Sequence, residues 1–178
     1  MKKVLFLLGL LLLAGCSEEI VAYEGVPLKI AVLGEFNDSY NTNIDIVEIT
    51  FETLEEAVTN PALEYDALFI TPTVFGQASQ DEYIKIYKDA QIPIIYYGAV
   101  KGHFAFTKEN ITYDTLHFQN LINGSHSTLY LHNEIPVGDE LSEIKEIKCD
   151  VDVFNFYLNG DRYDVMLKEI YEKIETLT

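Results

Sequence analysis

Four histidines, two cysteines and 29 acidic residues are the groups from which this chain could build a reactive site. The histidines stand at His103, His117, His126 and His132. A zinc centre needs imidazole and thiolate at short fixed spacing, and no His-Glu-x-x-His, His-x-His or Cys–His pairing occurs. His126 and His132 flank one expected strand, which at about 3.3 Å per residue holds them about 20 Å apart, too far for one ion. His117 with Asp114 is a helix-spaced polar pair of the kind found at surfaces. Asp150-x-Asp152 and Asp161-x-x-Asp164 lack the third acid, the glycine and the distal glutamate of a calcium loop. Asp161 and Asp164 suit the first turn of a helix, where the dipole favours carboxylates. No Gly-x-Ser-x-Gly elbow is present, and Ser125 in Gly124-Ser125-His126 lacks the strand-to-helix turn that exposes a nucleophile. Cys149 is expected to be a small residue at the start of a strand. Its neighbours Asp150 and Asp152 would raise a thiol pKa, whereas activation needs positive charge. These residues assign no catalytic group, no metal and no cofactor. Whether the chain is an enzyme stays open, with the balance leaning against.

A second route to a site runs through the elements that would position it. Residues 28–34 (LKIAVLG) form a nearly continuous apolar run ending in glycine, the pattern of a strand buried on both faces. Residues 44–51 (IDIVEITF) alternate and are β-branched, so they read as a less central strand. Thr53 to Glu56 has capping-box spacing and starts a short helix that Asn60-Pro61 ends. Residues 65–70 (YDALFI) and 92–97 (IPIIYY) are further strands. A second capping box at Ser79 starts a helix reaching about Ala90. This alternation implies a parallel sheet with right-handed crossovers.

The second half is less regular. Residues 104–107 read as a short strand and 115–122 as a short helix or loop. Residues 127–132 and 151–158 alternate as strands. Asp161 caps a last helix over 162–177, with Val165, Met166, Ile170, Ile174 and Leu177 as its apolar stripe. The expectation is an α/β fold: a single three-layer domain over 28–178 with a mainly parallel sheet, a Rossmann- or flavodoxin-like first half and a β-rich second half ending in a helix. Ligands in open α/β sheets bind beyond the carboxyl ends of the strands, where the strand order switches. That rule selects three loops and, on them, Glu35, Asn37, Asp38, Thr71, Thr73, Lys101 and His103 as candidate ligand-binding residues.

The runs LKIAVLG, YDALFI and IPIIYYG resemble those of flavodoxin-like and receiver-type α/β domains. The resemblance implies topology rather than chemistry. A receiver's phosphorylatable aspartate would stand where Thr71 is, and only Glu35 follows the first strand. The loop Gly34-Glu35-Phe36-Asn37-Asp38-Ser39 carries two carboxylates that would repel a flavin phosphate.

Residues 1–16 read MKKVLFLLGLLLLAGC. Lys2 and Lys3 are followed by an apolar run at 4–13, too short to span a bilayer but of signal-peptide size. Leu13-Ala14-Gly15-Cys16 resembles the bacterial lipobox, so residues 1–15 look like a lipoprotein signal peptide. The resemblance implies that Cys16 becomes the first mature residue and carries lipid. Residues 16–27 would then be the lipidated cysteine and an acidic tether. Several acyl chains anchor stably where one would not. Ser17 after Cys16 is no inner-membrane retention signal of the aspartate type.

Composition narrows the partners. The net charge of −17 argues against nucleic acid, whose phosphates need clustered Lys and Arg. Without Lys2 and Lys3 the mature chain holds 10 basic against 29 acidic residues, a balance of −19. The expected partners are the membrane, reached through the anchor, and a basic envelope protein or a small ligand. Twelve Tyr and no Trp leave room for a tyrosine-rich face as well as a tyrosine-rich core. The reading is a non-enzymatic binding lipoprotein held to the cell membrane and facing outside the cytoplasm. Its alternatives are an envelope hydrolase or transferase using the strand-end loops, or a phage- or element-borne exclusion or immunity lipoprotein.

Overall fold

The computed structural model describes residues 19–117, 124–137 and 146–178, with side chains given except at 134–137 and 146–150. Its strands are β1 (Leu28–Leu33), β2 (Ile44–Ile49), β3 (Ala67–Ile70), β4 (Ile94–Tyr96), β5 (Ser127–Val137) and β6 (Glu146–Phe156). Its helices are α1 (Leu54–Thr59), α2 (Phe75–Ala78), α3 (Asp81–Lys88), α4 (Phe104–Thr107) and α5 (Tyr163–Glu175). The six strands form one sheet in the order β2-β1-β3-β4-β5-β6. β2, β1, β3 and β4 run parallel, β5 is antiparallel to β4, and β6 is antiparallel to β5. The expected single α/β domain is therefore what the chain forms, mainly parallel at first and antiparallel in its second half.

Burial follows from place in the sheet. β1 and β3 lie between other strands and are apolar at nearly every position. β2 is an edge, so it alternates, with Asp45 and Glu48 exposed. Charges there also discourage pairing with another chain. Alternate residues of each central strand feed two cores. Ala31, Leu33, Leu68, Ile70, Ile94 and Tyr96 pack under α1 to α4. Ile30, Val32, Ala67, Phe69 and Ile95 pack under α5. The result is three layers.

No helix joins β1 to β2. The face that such a helix would cover is covered by α5, through Met166, Leu167, Ile170, Tyr171 and Ile174. Tyr23, ahead of β1, completes that cover, with its ring 5.6 Å from the Tyr171 ring. Residues 21–25, expected to hang free as a tether, are fastened to the body. Val21 N donates to Asp164 Oδ2 at 2.8 Å and Tyr23 N to Asn41 Oδ1 at 2.5 Å. The Tyr23 hydroxyl donates to Glu175 Oε2 at 2.9 Å, and Asn43 Nδ2 to Gly25 O at 3.0 Å.

Several local expectations are corrected. Residues 104–107 are helix α4, not strand, because Ala105 and Phe106 both turn into the first core. Ser79 does not cap α3: its buried hydroxyl donates to Gly76 O and accepts from Tyr113 N, and Gln80 takes the cap position. Asp161 does not cap α5, which starts one residue later with Arg162 at the cap. Val165 sits beside the buried stripe of α5, which runs through Leu167 and Tyr171 instead. The expectations for residues 1–16 and 118–122, and for the Cys149 thiol, lie outside the described residues.

Candidate functional site

The carboxyl ends of β1, β3, β4 and β6 share one edge of the sheet with the amino end of β5. The strand order switches between β1 and β3, where such folds take their ligands. Here the crevice is closed by protein. Gly34, at φ +101°, turns the chain so tightly that a Cβ would stand 2.3 Å from Thr71 Oγ1 and 2.7 Å from Thr73 Oγ1. Glu35 N donates to Thr73 Oγ1 at 3.0 Å, and the two threonine hydroxyls lie 3.2 Å apart. Thr71 is fully buried. The structure thus brings Glu35, Thr71 and Thr73 together, but the two hydroxyls point at each other and at backbone.

The other candidates separate to opposite faces. Asp38 is buried under the α5 side. It accepts from the Tyr171 hydroxyl at 2.7 Å, from Asn41 Nδ2 at 2.7 Å and from Tyr40 N at 3.2 Å. Burial, with the Asp38 carboxylate second, pushes the Tyr171 phenol far above its ordinary value. Asn37 is exposed beside it. Lys101 lies on the α4 side, donating to Tyr113 O at 2.6 Å with its ammonium 4.7 Å from the Tyr113 ring centre. His103 is half-buried against Phe104 and Tyr130, at 4.4 and 5.6 Å between ring centres. Burial, helped by the charge of Lys108, lowers its pKa. Asp38, Lys101 and His103 are fasteners of the loops that carry them.

The residue that the loop argument misses is His126. Because β5 runs antiparallel to β4, its amino end arrives at the same edge as the carboxyl ends of the parallel strands. His126 Nδ1 lies 2.8 Å from Ser127 Oγ, and that oxygen accepts from Gly98 N at 3.1 Å. The imidazole meets Tyr97 and Tyr163 edge-on at 5.2 and 5.6 Å. Its pKa is lowered by burial. Tyr97 is pushed up to about 12 by burial, then by the charges of Tyr163 and Asp38. Ser127 is fully buried, so its hydroxyl orients the ring rather than meeting a substrate. The only sequence signal for His126 was its place just ahead of an alternating strand, and that strand's direction was not legible.

Clefts lie around this core. One of about 250 Å³ opens at the strand-end edge between Glu19, Ile20, Tyr40 and residues 161–164. Arg162 grips Asp164 there with two hydrogen bonds of 2.9 Å. One of about 560 Å³ opens at the opposite edge, lined by Lys29, Asp45, Glu64 and Asp66 among others. Among the described residues no cluster of His, Cys, Asp and Glu is arranged to hold a metal ion, and no helix is long and apolar enough to cross a membrane. Fold and edge together define an α/β domain with a mixed six-stranded sheet whose switch crevice is filled by its own threonines. Compared with known protein families, curated proteins and solved structures, the chain matches none.

Proposed function

We propose that this chain is a lipid-anchored extracytoplasmic binding protein, attached through Cys16 and working by association rather than by catalysis. The observation that carries the reading is the run of Lys2-Lys3, ten mostly apolar residues and Leu13-Ala14-Gly15-Cys16. Two features of the folded body support it. The Thr71 and Thr73 hydroxyls at the switch crevice are engaged in internal hydrogen bonds, which favours a surface over a pocket as the working part. The exposed acids Asp45, Glu48, Glu52, Glu55 and Glu56 cluster along β2 and α1 and suit a basic protein partner.

Cross-linking in intact envelopes, followed by capture of the full chain, tests the reading. A basic protein should be recovered, and recovery should fall as salt rises. Reversing Glu48, Glu52 and Glu55 to Lys should abolish it. Recovery of no protein above background would contradict the reading.

A further inference from the structure

The path of residues 19–27 decides which edge of the domain an anchor at Cys16 would hold. β1 begins at the edge opposite the strand-end loops, so a tether leaving directly from Leu28 would emerge there. Instead the chain ahead of β1 is bound along α5. Gly25 is tied to Asn43 and Tyr23 to Glu175 at the last turn of α5, while Val21 is tied to Asp164 in its first turn. Asp164 to Glu175 spans about 17 Å of helix, and five extended residues cover about the same distance. The strap therefore carries the chain back across the domain to the strand-end edge. There Arg162 Nη2 donates to Glu19 O at 3.4 Å.

From Ile20 to Cys16 is four residues, about 14 Å at full extension. A domain of this size has a radius of about 19 Å. A leash shorter than the radius cannot let the body roll over, so the edge where it emerges must face the bilayer. That edge is where large side chains stand exposed: Ile20, Tyr40, Val100, Tyr157 and Tyr163, between 45% and 58% accessible. Tyrosine prefers the headgroup region, with its ring among acyl carbons and its hydroxyl in water. Glu19, Glu35, Glu52 and Asp161 share the edge, exposed, and keep it at headgroup depth rather than inserted. The other exposed acids are spread over β2, α1, α3, α5 and the loops between them.

We infer that the strand-end edge, through Tyr40, Tyr157 and Tyr163 with Ile20 and Val100, is a lipid-contacting face that the strap turns toward the membrane. The inference rests on lipid attachment at Cys16. In this orientation β2 and α1 form a lateral flank of the domain, with Asp45 toward the far edge and Glu52, which follows the carboxyl end of β2, at the near one.

The absence of Trp from the chain gives the test. Tryptophan is placed singly by Tyr40→Trp, Tyr163→Trp and, at the opposite edge, Val26→Trp, a position 50% exposed. Each full-length variant, purified from membranes in acylated form, is reconstituted in vesicles of phosphatidylcholine with or without brominated acyl chains. The bromolipid should quench Y40W and Y163W fluorescence about twofold or more, as expected for rings at the acyl boundary. It should leave V26W unchanged. Protein that floats with the vesicles yet shows equal quenching at all three sites, or none, overturns the orientation alone. Protein that does not float overturns the anchoring and the orientation with it.

Discussion

Asp38 shows how a residue with chemical promise becomes a structural one. It is a carboxylate on the right loop of the right fold, yet three donors surround it, and one is the buried phenol of Tyr171. A hydrogen bond to a charged acceptor contributes about 1.5–3 kcal/mol. Tyr171→Phe should therefore lower unfolding free energy by about 2 kcal/mol in urea titration while leaving partner capture intact. A Tyr171→Phe chain as stable as the parent would show that the bond is idle. Tyr96 is the opposite case. Its ring is fully buried and stacked on Phe106 at 4.2 Å, and its hydroxyl has no hydrogen-bond partner among the described residues. Removing an unsatisfied buried hydroxyl relieves its desolvation cost, so Tyr96→Phe should raise the urea midpoint or leave it unchanged. The histidines add a pH dependence. Burial lowers the pKa of both His103 and His126 in the folded state. The unfolded chain then binds more protons once pH falls below the ordinary histidine value of about 6.5. Stability should be level above that pH and fall below it, and His103→Phe should reduce the fall, as followed by thermal unfolding between pH 7.5 and 5.5.

At the scale of elements the strap is the unusual part, since it replaces a helix. Tyr23 is only 3% exposed and fills the second core beside Tyr171. Truncating a buried aromatic costs about 3–5 kcal/mol, so Tyr23→Ala should bring the urea midpoint down steeply, far more than Glu24→Ala at the exposed position beside it. Asp164 holds the other end. Hydrogen bonds from Arg162 and from Val21 N keep its carboxyl well below the usual range. Its contribution is complete above the unfolded value of about 3.9 and is lost as pH falls further. Proteolysis within residues 19–26 should accordingly be slow at pH 7, and faster in Asp164→Asn. This strap was not legible in the sequence. SEEIVAYEGV lacks any 2.0 or 3.6 periodicity, and apart from Val26 O the partners of Tyr23 lie 18, 148 and 152 residues away. The central strands were legible because β1, β3 and β4 are apolar on both faces and need no knowledge of their neighbours. Residues 104–107 were misread because four apolar or small residues fit a strand or a helical turn equally well. The site was legible only in part. Strand-end loops follow from parallel order, which found Glu35, Thr71 and Thr73, but His126 depends on the reversal of β5, and strand direction leaves no local mark.

At the scale of the whole molecule three features meet: a start that resembles a lipobox, an uneven charge and a fold that returns its leading segment to one edge. Cleaved ahead of Cys16 as proposed, the chain would carry 10 basic against 29 acidic residues, a balance of −19 that repels an anionic bilayer unless the acids point elsewhere. In the orientation inferred above, the strap would set Tyr40, Tyr157 and Tyr163 toward the bilayer, with Asp45 and Glu64 at the opposite edge. Everything in it depends on the modification of one cysteine. Intact mass measurement of the protein extracted from membranes tests this most directly. The account predicts a chain beginning at Cys16, heavier than its sequence by the mass of its acyl groups, and loss of that increment in Cys16→Ser. A membrane-extracted chain that keeps residues 1–15, or one that starts elsewhere with no added mass, would contradict it.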